Sequence, residues 1–257
     1  MSDSGLVFFS DRLKEEVFSL REKYSDLFCK LKRIPHLEVP MSVDLKRIRE
    51  ECSQISKWSG YKVEKRYASI QSYSKQNLEY YAKKNLGRTL IEYVSDSFFV
   101  EETSSESRDP NKTFYRKDGR LKYFNTELAD KMPEVMKSLY SFSDYLKQTR
   151  IMKIESEYQI PWHAHHNCWD ESFPYYIGVL QIPVQTSREC VYQVRSPKIG
   201  NQIFSQSYLP GKAYLFNAFC EHSVLNKASS ERISIFSQFH LEYEPLLKKL
   251  LPLVEAY

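Results

Sequence analysis

Glu-His-Ser-Val-Leu-Asn-Lys-Ala-Ser-Ser-Glu-Arg-Ile-Ser, residues 221–234, is the stretch whose reading decides the fold. Cys220–Val224 reads as a strand end, Asn226–Ser230 is rich in turn formers, and a second strand opens at Arg232. Along that strand Arg232, Ser234, Phe236 and Gln238 fall on one face, with Ile233 and Ile235 on the other. Read as a hairpin centred on Lys227, the stretch makes His222 and Arg232 cross-strand neighbours, with opposed Cβ atoms about 4.5–5.5 Å apart.

Upstream, Ile-Pro-Trp-His-Ala-His-His-Asn (160–167) brings further imidazoles. In an extended segment His163 and His165 share a face, and His166 turns away unless the strand ends there. Pro161 and Asn167 bracket a strand end that opens into a loop, a common place for a site. Imidazole suits iron, zinc, copper and nickel, and two histidines with a carboxylate and open positions mark non-haem iron oxygenases. Arginine and serine on the face of a metal histidine suit a dicarboxylate, the guanidinium gripping it as a fork and the hydroxyl adding a hydrogen bond. The ligand's other end, a 2-oxo acid, would then chelate the metal. The plainer alternative is a salt bridge from Arg232 to Glu221 or Glu231.

Working outward, the chain changes character near residue 149. Leu13, Val17, Leu20, Tyr24, Leu27, Phe28 and Leu31 recur at helical steps and predict a helix over 11–33, capped by Ser10 and stopped by Pro35. A second amphipathic helix is expected over 43–56. Aromatic strands at Tyr61–Ser69 and Glu92–Val100 flank a polar loop, Glu101–Lys112. Thr126–Lys147 reads as helix, with Pro133 either breaking it or opening a second one. Strands are expected at Thr149–Glu155, Tyr175–Val184, Cys190–Arg195, Lys212–Asn217 and Arg232–Glu242, with a leucine-rich helix at Pro245–Glu255. Helices first and antiparallel strands afterwards indicate an α+β protein on a jelly-roll-like barrel. We divide it into an N-terminal helical extension, 1–33, and one domain, 34–257, whose barrel core spans about 149–243.

At 257 residues and 42% hydrophobic, the chain can bury a sizeable core. A net charge of +4, with basic residues scattered, gives nucleic-acid binding no support. No apolar run approaches the roughly 20 residues of a membrane span, and the N-terminus lacks the pattern of a secretory signal. Cys29, Cys52, Cys168, Cys190 and Cys220 are odd in number and share no CxxC spacing, so we expect free thiols in a reducing cytoplasm. Cys168 and Cys220 lie near enough to the histidines to be weighed as ligands, against the commoner buried structural thiol. The C-terminal helix suits its own barrel or a partner, which leaves the oligomeric state open.

On these residues the chain resembles the Fe(II)/2-oxoglutarate-dependent dioxygenases, within them the aspartyl/asparaginyl β-hydroxylase-like and proline-hydroxylase-like branch. The likeness is carried by Arg150-Ile-Met-Lys-Ile154, Ile160-Pro-Trp-His163, Gln181-Ile-Pro-Val184, Pro210-Gly-Lys-Ala-Tyr-Leu-Phe-Asn217, His222 and Arg232-Ile-Ser234. It covers about 149–240. The resemblance implies a double-stranded β-helix (jelly-roll, cupin-like) with supporting N-terminal helices and a C-terminal helix. It implies His163 and His222 as Fe(II) ligands, and Arg232 and Ser234 as the grip on the distal carboxylate of the cosubstrate 2-oxoglutarate. Molecular oxygen would then hydroxylate an unactivated C–H bond of an amino acid, a peptide or a small natural-product intermediate.

The chain departs from that pattern twice. His165 stands where the family carries Asp or Glu, which makes it the expected third ligand, with His166, Asp170 and Glu171 as alternatives. Gln181 stands where relatives often have a cosubstrate-binding histidine. Trp162, Trp169 and Tyr176 are candidates for either pocket lining or packing, and Asn167–Pro174 for a lid. Two other classes stay open: a three-histidine, thiol-type dioxygenase needing no cosubstrate, and a non-catalytic metal-binding barrel.

Overall fold

The computed structural model describes residues 11–55, 58–60, 91–94, 99–101, 123–125, 127–165, 176–195 and 202–257. The Ser10 cap, the strand expected at 61–69, most of the 101–112 loop and the 166–175 segment lie outside them. Six helices are described: α1 (Asp11–Lys23), α2 (Ser25–Leu31), α3 (Leu45–Ser53), α4 (Glu127–Lys131), α5 (Pro133–Phe142) and α6 (Glu244–Glu255). The helix expected over 11–33 is thus two, parted at Tyr24. The one expected over 126–147 parts at Pro133, which opens α5 where its missing N–H leaves no bond unmade. The Glu51 carboxylate takes over capping there, accepting from the Glu134 and Val135 amides at 2.8 and 3.2 Å.

Thirteen strands are described: β1 (His36–Val39), β2 (Trp58–Gly60), β3 (Ile91–Val94), β4 (Phe99–Glu101), β5 (Tyr123–Asn125), β6 (Leu146–Ile154), β7 (Tyr158–His163), β8 (Ile177–Gln185), β9 (Cys190–Arg195), β10 (Ile203–Ser207), β11 (Ala213–Phe216), β12 (Glu221–Asn226) and β13 (Arg232–His240). One sheet runs β1-β11-β8-β13-β6-β3-β2, the second β10-β9-β12-β7, and β4 pairs with β5. From β6 to β13 the chain alternates between the two large sheets, except for the β9–β10 hairpin. That is the strand order of a double-stranded β-helix, the expected architecture.

The structure corrects the hairpin. β12 pairs with β7 and β9, whereas β13 pairs with β6 and β8 in the other sheet. His222 and Arg232 are therefore not cross-strand neighbours. Each strand already has a partner on both edges, so neither has an edge left for the other. Residues 227–231 instead carry the chain from one sheet to the other. Asn226 secures that crossing, its amide donating to the carbonyls of Glu155 at 2.8 Å and Ser230 at 2.9 Å.

β8 and β13 are buried on both faces, as strands between a barrel interior and a helical cover must be. Within the sheet itself, Phe239 of β13 lies over its register partner Gly178 so closely that an added Cβ there would stand 2.5 Å from its ring. Val17, Leu20, Leu27, Phe28 and Leu31 are buried along α1 and α2. No described helix is long and apolar enough to cross a membrane.

A buried ion pair ties α1 to the barrel. Glu242, fully buried, accepts from Arg21 at 2.8 Å and from the Tyr176 amide at 2.8 and 2.9 Å. Arg21 also lies 3.9 Å above the Tyr176 ring, which meets Phe28 edge-on at 5.3 Å. Tyr176 thus takes the packing alternative rather than lining a pocket. Burial raises the Glu242 pKa, and the guanidinium opposes that shift. Removing one partner strands the other's charge, so Arg21→Ala is expected to destabilise the fold by about 3–5 kcal/mol. Urea unfolding at pH 7 reads this directly, and a loss no larger than that of a surface pair would contradict it.

Candidate metal centre and anion arm

His163 ends β7 and is the register partner of His222 on β12, so the two imidazoles stand side by side with centroids 4.2 Å apart. A register shift between His222 and Val224 marks this end of the pairing. His165 lies just beyond the strand end. Its amide donates to the Ala218 carbonyl at 2.8 Å, bringing its ring 5.2 Å from each of the others. The ligating atoms of the three histidines all lie within 4.8 Å of one another, close enough to close on one ion.

The tautomers suit that use. His163 Nδ1 meets the Pro161 carbonyl at 2.8 Å, and His222 Nδ1 meets that of Cys220 at 2.9 Å. A ring nitrogen facing a carbonyl must carry the proton, which leaves Nε2 with the lone pair a metal needs. His222 is held well below the ordinary histidine pKa by burial first, then by His163 and His165. It is therefore neutral, the ligating form. Neutral nitrogen donors alone make up the described cluster, a set that fits iron, zinc, copper or nickel. His166, Cys168, Asp170 and Glu171 lie outside the described residues. Cys220 is buried and serves through its backbone carbonyl. Trp162, next to His163, instead carries the Arg195 guanidinium 4.8 Å over its ring.

Across the barrel, Arg232 is 1% exposed and Ser234 fully buried. The ordinary salt bridge is absent: Glu221 pairs with Arg195 at 2.7 Å and Glu231 with Lys153 at 3.3 Å. Arg232 Nη2 reaches Gln181 Oε1 at 3.4 Å, Ser234 Oγ donates to the same atom at 3.2 Å, and Tyr192 OH does so at 3.1 Å. Nε and Nη1 of Arg232 are buried without a hydrogen-bond partner. Tyr192 also lays its ring 4.7 Å beneath the guanidinium, and Tyr208 and Tyr214 stack behind it at 4.0 and 4.1 Å.

The register sets the depth of this arm. His222 pairs with Val194 and Val224 with Tyr192 on the same strands. Tyr192 thus lies two residues, about 7 Å, further along the barrel than the level of His222. An extended five-carbon diacid spans such a gap. Gln181, Arg232 and Ser234 do converge, by packing across neighbouring strands β8 and β13 and not through the hairpin.

Sequence reasoning missed Tyr192 and His36. Inward alternation along β9, where Cys190, Tyr192 and Val194 are buried, was the available signal for the first. His36 sits in a four-residue strand between prolines, where nothing marks it. It is the register partner of Phe216, whose ring meets His222 edge-on at 5.1 Å, and its Nδ1 lies 2.5 Å from Tyr208 OH.

No family model and no curated protein sequence matches the chain. Among solved structures it is similar to an oxidoreductase of the 2OG-Fe(II) oxygenase family from Burkholderia pseudomallei, at 10% identity over 90% of this chain and 91% of that one, TM-score 0.49. It is also similar to SnoN, a non-haem alpha-ketoglutarate-dependent epimerase from nogalamycin biosynthesis, at 9% identity over 88% and 82%, TM-score 0.46. AviO1 from Streptomyces viridochromogenes Tue57 is similar at 11% identity over 84% and 94%, TM-score 0.43. With identities and TM-scores this low, the chemistry has to be read from this chain's own residues.

Burial lowers the His36 pKa to about 4. Its neutral ring therefore favours the fold fully above pH 6.5, and that contribution is lost as pH falls towards 4. Between those limits wild type should lose roughly 3 kcal/mol that a His36→Gln variant does not lose. Urea melts of metal-free protein across this range test the difference, and parallel pH profiles for the two proteins would refute it.

Proposed function

We propose that this chain is a non-haem Fe(II)/2-oxoglutarate-dependent oxygenase that hydroxylates an unactivated C–H bond of an amino acid, a peptide or a small natural-product intermediate. The observation that carries this proposal is the fully buried Arg232, with two guanidinium donors left over inside the barrel that holds three clustered histidines. A permanent cation placed so, without a carboxylate partner among the described residues, calls for an anionic ligand. Arg232 and Ser234 would hold the distal carboxylate of 2-oxoglutarate, with Gln181 beside them. His163, His165 and His222 would hold the iron, which when bound couples oxygen activation to oxidative decarboxylation of the cosubstrate.

The chain's own part is to orient and to exclude. Carbonyls of Pro161 and Cys220 hold two imidazoles in the ligating tautomer. Buried Phe216 packs against His222, and the tyrosine stack closes the barrel behind Arg232. Both keep water from an anion whose pairing with the guanidinium depends on low polarity. Cys29, Cys52, Cys190 and Cys220 form no disulfide among the described residues, in keeping with a reducing, cytoplasmic setting.

Succinate formation that requires both Fe(II) and 2-oxoglutarate is the expected result. His222→Ala should abolish it, and Arg232→Ala should lower kcat/KM for 2-oxoglutarate by about 100-fold or more. Oxygen consumption by Arg232→Ala without 2-oxoglutarate would instead favour a thiol-type dioxygenase, the class to which an all-histidine donor set also belongs. Metal and 2-oxoglutarate binding without turnover would favour the non-catalytic barrel.

His165 is tested separately. His165→Asp should keep Mn(II) bound as tightly as wild type or more so, while His165→Ala weakens it about 10–100-fold. Equal Mn(II) affinity in His165→Ala and wild type would remove His165 from the ligand set.

A further inference from the structure

Three donors converge on one acceptor in the anion arm. Arg232 Nη2, Ser234 Oγ and Tyr192 OH all point at Gln181 Oε1, at 3.4, 3.2 and 3.1 Å. The arginine donor fixes the assignment, because the amide nitrogen could not accept from it. An amide oxygen has two lone pairs, so three donors over-subscribe it. Both hydroxyl contacts are also longer than the roughly 2.5–3.0 Å of a good O–H···O bond. Ser234 and Tyr192 each have a single hydroxyl proton, and Gln181 Oε1 stands within reach of both. While Ser234 donates to Gln181 it cannot donate to a bound carboxylate.

We propose that Gln181 is a built-in stand-in for the ligand carboxylate. It holds Arg232, Ser234 and Tyr192 in their binding arrangement while the arm is empty, and gives up Oε1's place when the diacid arrives. A carboxylate offers about four acceptor sites where the amide oxygen offers two. It can satisfy the two hydroxyls together with one edge of the Arg232 guanidinium, Nη2 with either Nε or Nη1, both of which Gln181 leaves without partners. Exchange is thus favourable for an anion and unfavourable for a neutral isostere. The side chain keeps the arm preformed, and it also competes with what the arm binds.

This inference rests on the dicarboxylate reading above, and titration calorimetry of Mn(II)-loaded protein with 2-oxoglutarate separates the two. Gln181→Leu removes the competitor and should bind 2-oxoglutarate about tenfold more tightly than wild type, the fold-change of one hydrogen bond's net worth. Its ligand-free melting temperature should fall, because three buried donors lose their acceptor. Gln181→Glu carries its own carboxylate into the arm, so its ligand-free melting temperature should rise and its 2-oxoglutarate affinity should drop by about 100-fold or more. If wild type binds and Gln181→Leu binds equally or more weakly, Gln181 is a ligand contact or a bystander and the stand-in is overturned alone. A wild-type protein that binds no 2-oxoglutarate overturns the dicarboxylate reading and the stand-in together.

Discussion

A permanent positive charge lies between the two sheets, and much of the structure follows from accommodating it. The guanidinium of Arg232 cannot shed its proton, so burial cannot neutralise it as it neutralises His222. The surroundings answer with weak, distributed polarity: the face of Tyr192, the amide of Gln181 and the hydroxyl of Ser234. Those residues belong to β9, β8 and β13, so the charge is met only once both sheets are closed around it. Holding β13 in the middle of its sheet, paired on both edges, is what aims Arg232 inward.

The histidine cluster and the anion arm share a property that neither has alone. Neither described cluster contains a carboxylate. Under the proposed function, a divalent ion on three imidazoles would keep its full double charge, and the Arg232 guanidinium on the facing sheet would add another. The balancing negative charge would then come with the ligand. A doubly charged diacid anchored at both ends would answer both sites, where a monoanion would leave one unbalanced.

The sequence showed the strands better than their partners. Turn formers and alternation located β9 and β13 to the residue at their starts, and Pro133 marked a helix boundary correctly as one of two options. Local chemistry failed at 226–231, because a turn that returns along one sheet and a crossing between sheets use the same residues. Only the pairing of β12 with β7 and β9 separates them, and that is decided far away in sequence. β1 and β10 were illegible for another reason. The first is four residues between prolines, and the second is a polar edge strand with Ile203 half exposed. Among the residues of the candidate site, spacing and alternation singled out His163, His222, Arg232 and Ser234. The alternation of β9 turns Tyr192 inward, but its contact with Gln181 and Arg232 is made only across the barrel.

The clasp between Arg21, Tyr176 and Glu242 has a consequence for how the chain is made. Arg21 and Glu242 are 221 residues apart, so their contact closes a long loop. Contacts of such separation form late, after local pairing has lowered the entropy of closing them. Synthesis proceeds from the N-terminus, so α1 emerges well before its seat at Glu242. During that interval the apolar face of α1 and α2 has no barrel to cover. The clasp of α1 on Glu242 can therefore close only after β13, which precedes Glu242 directly in the chain, has been made.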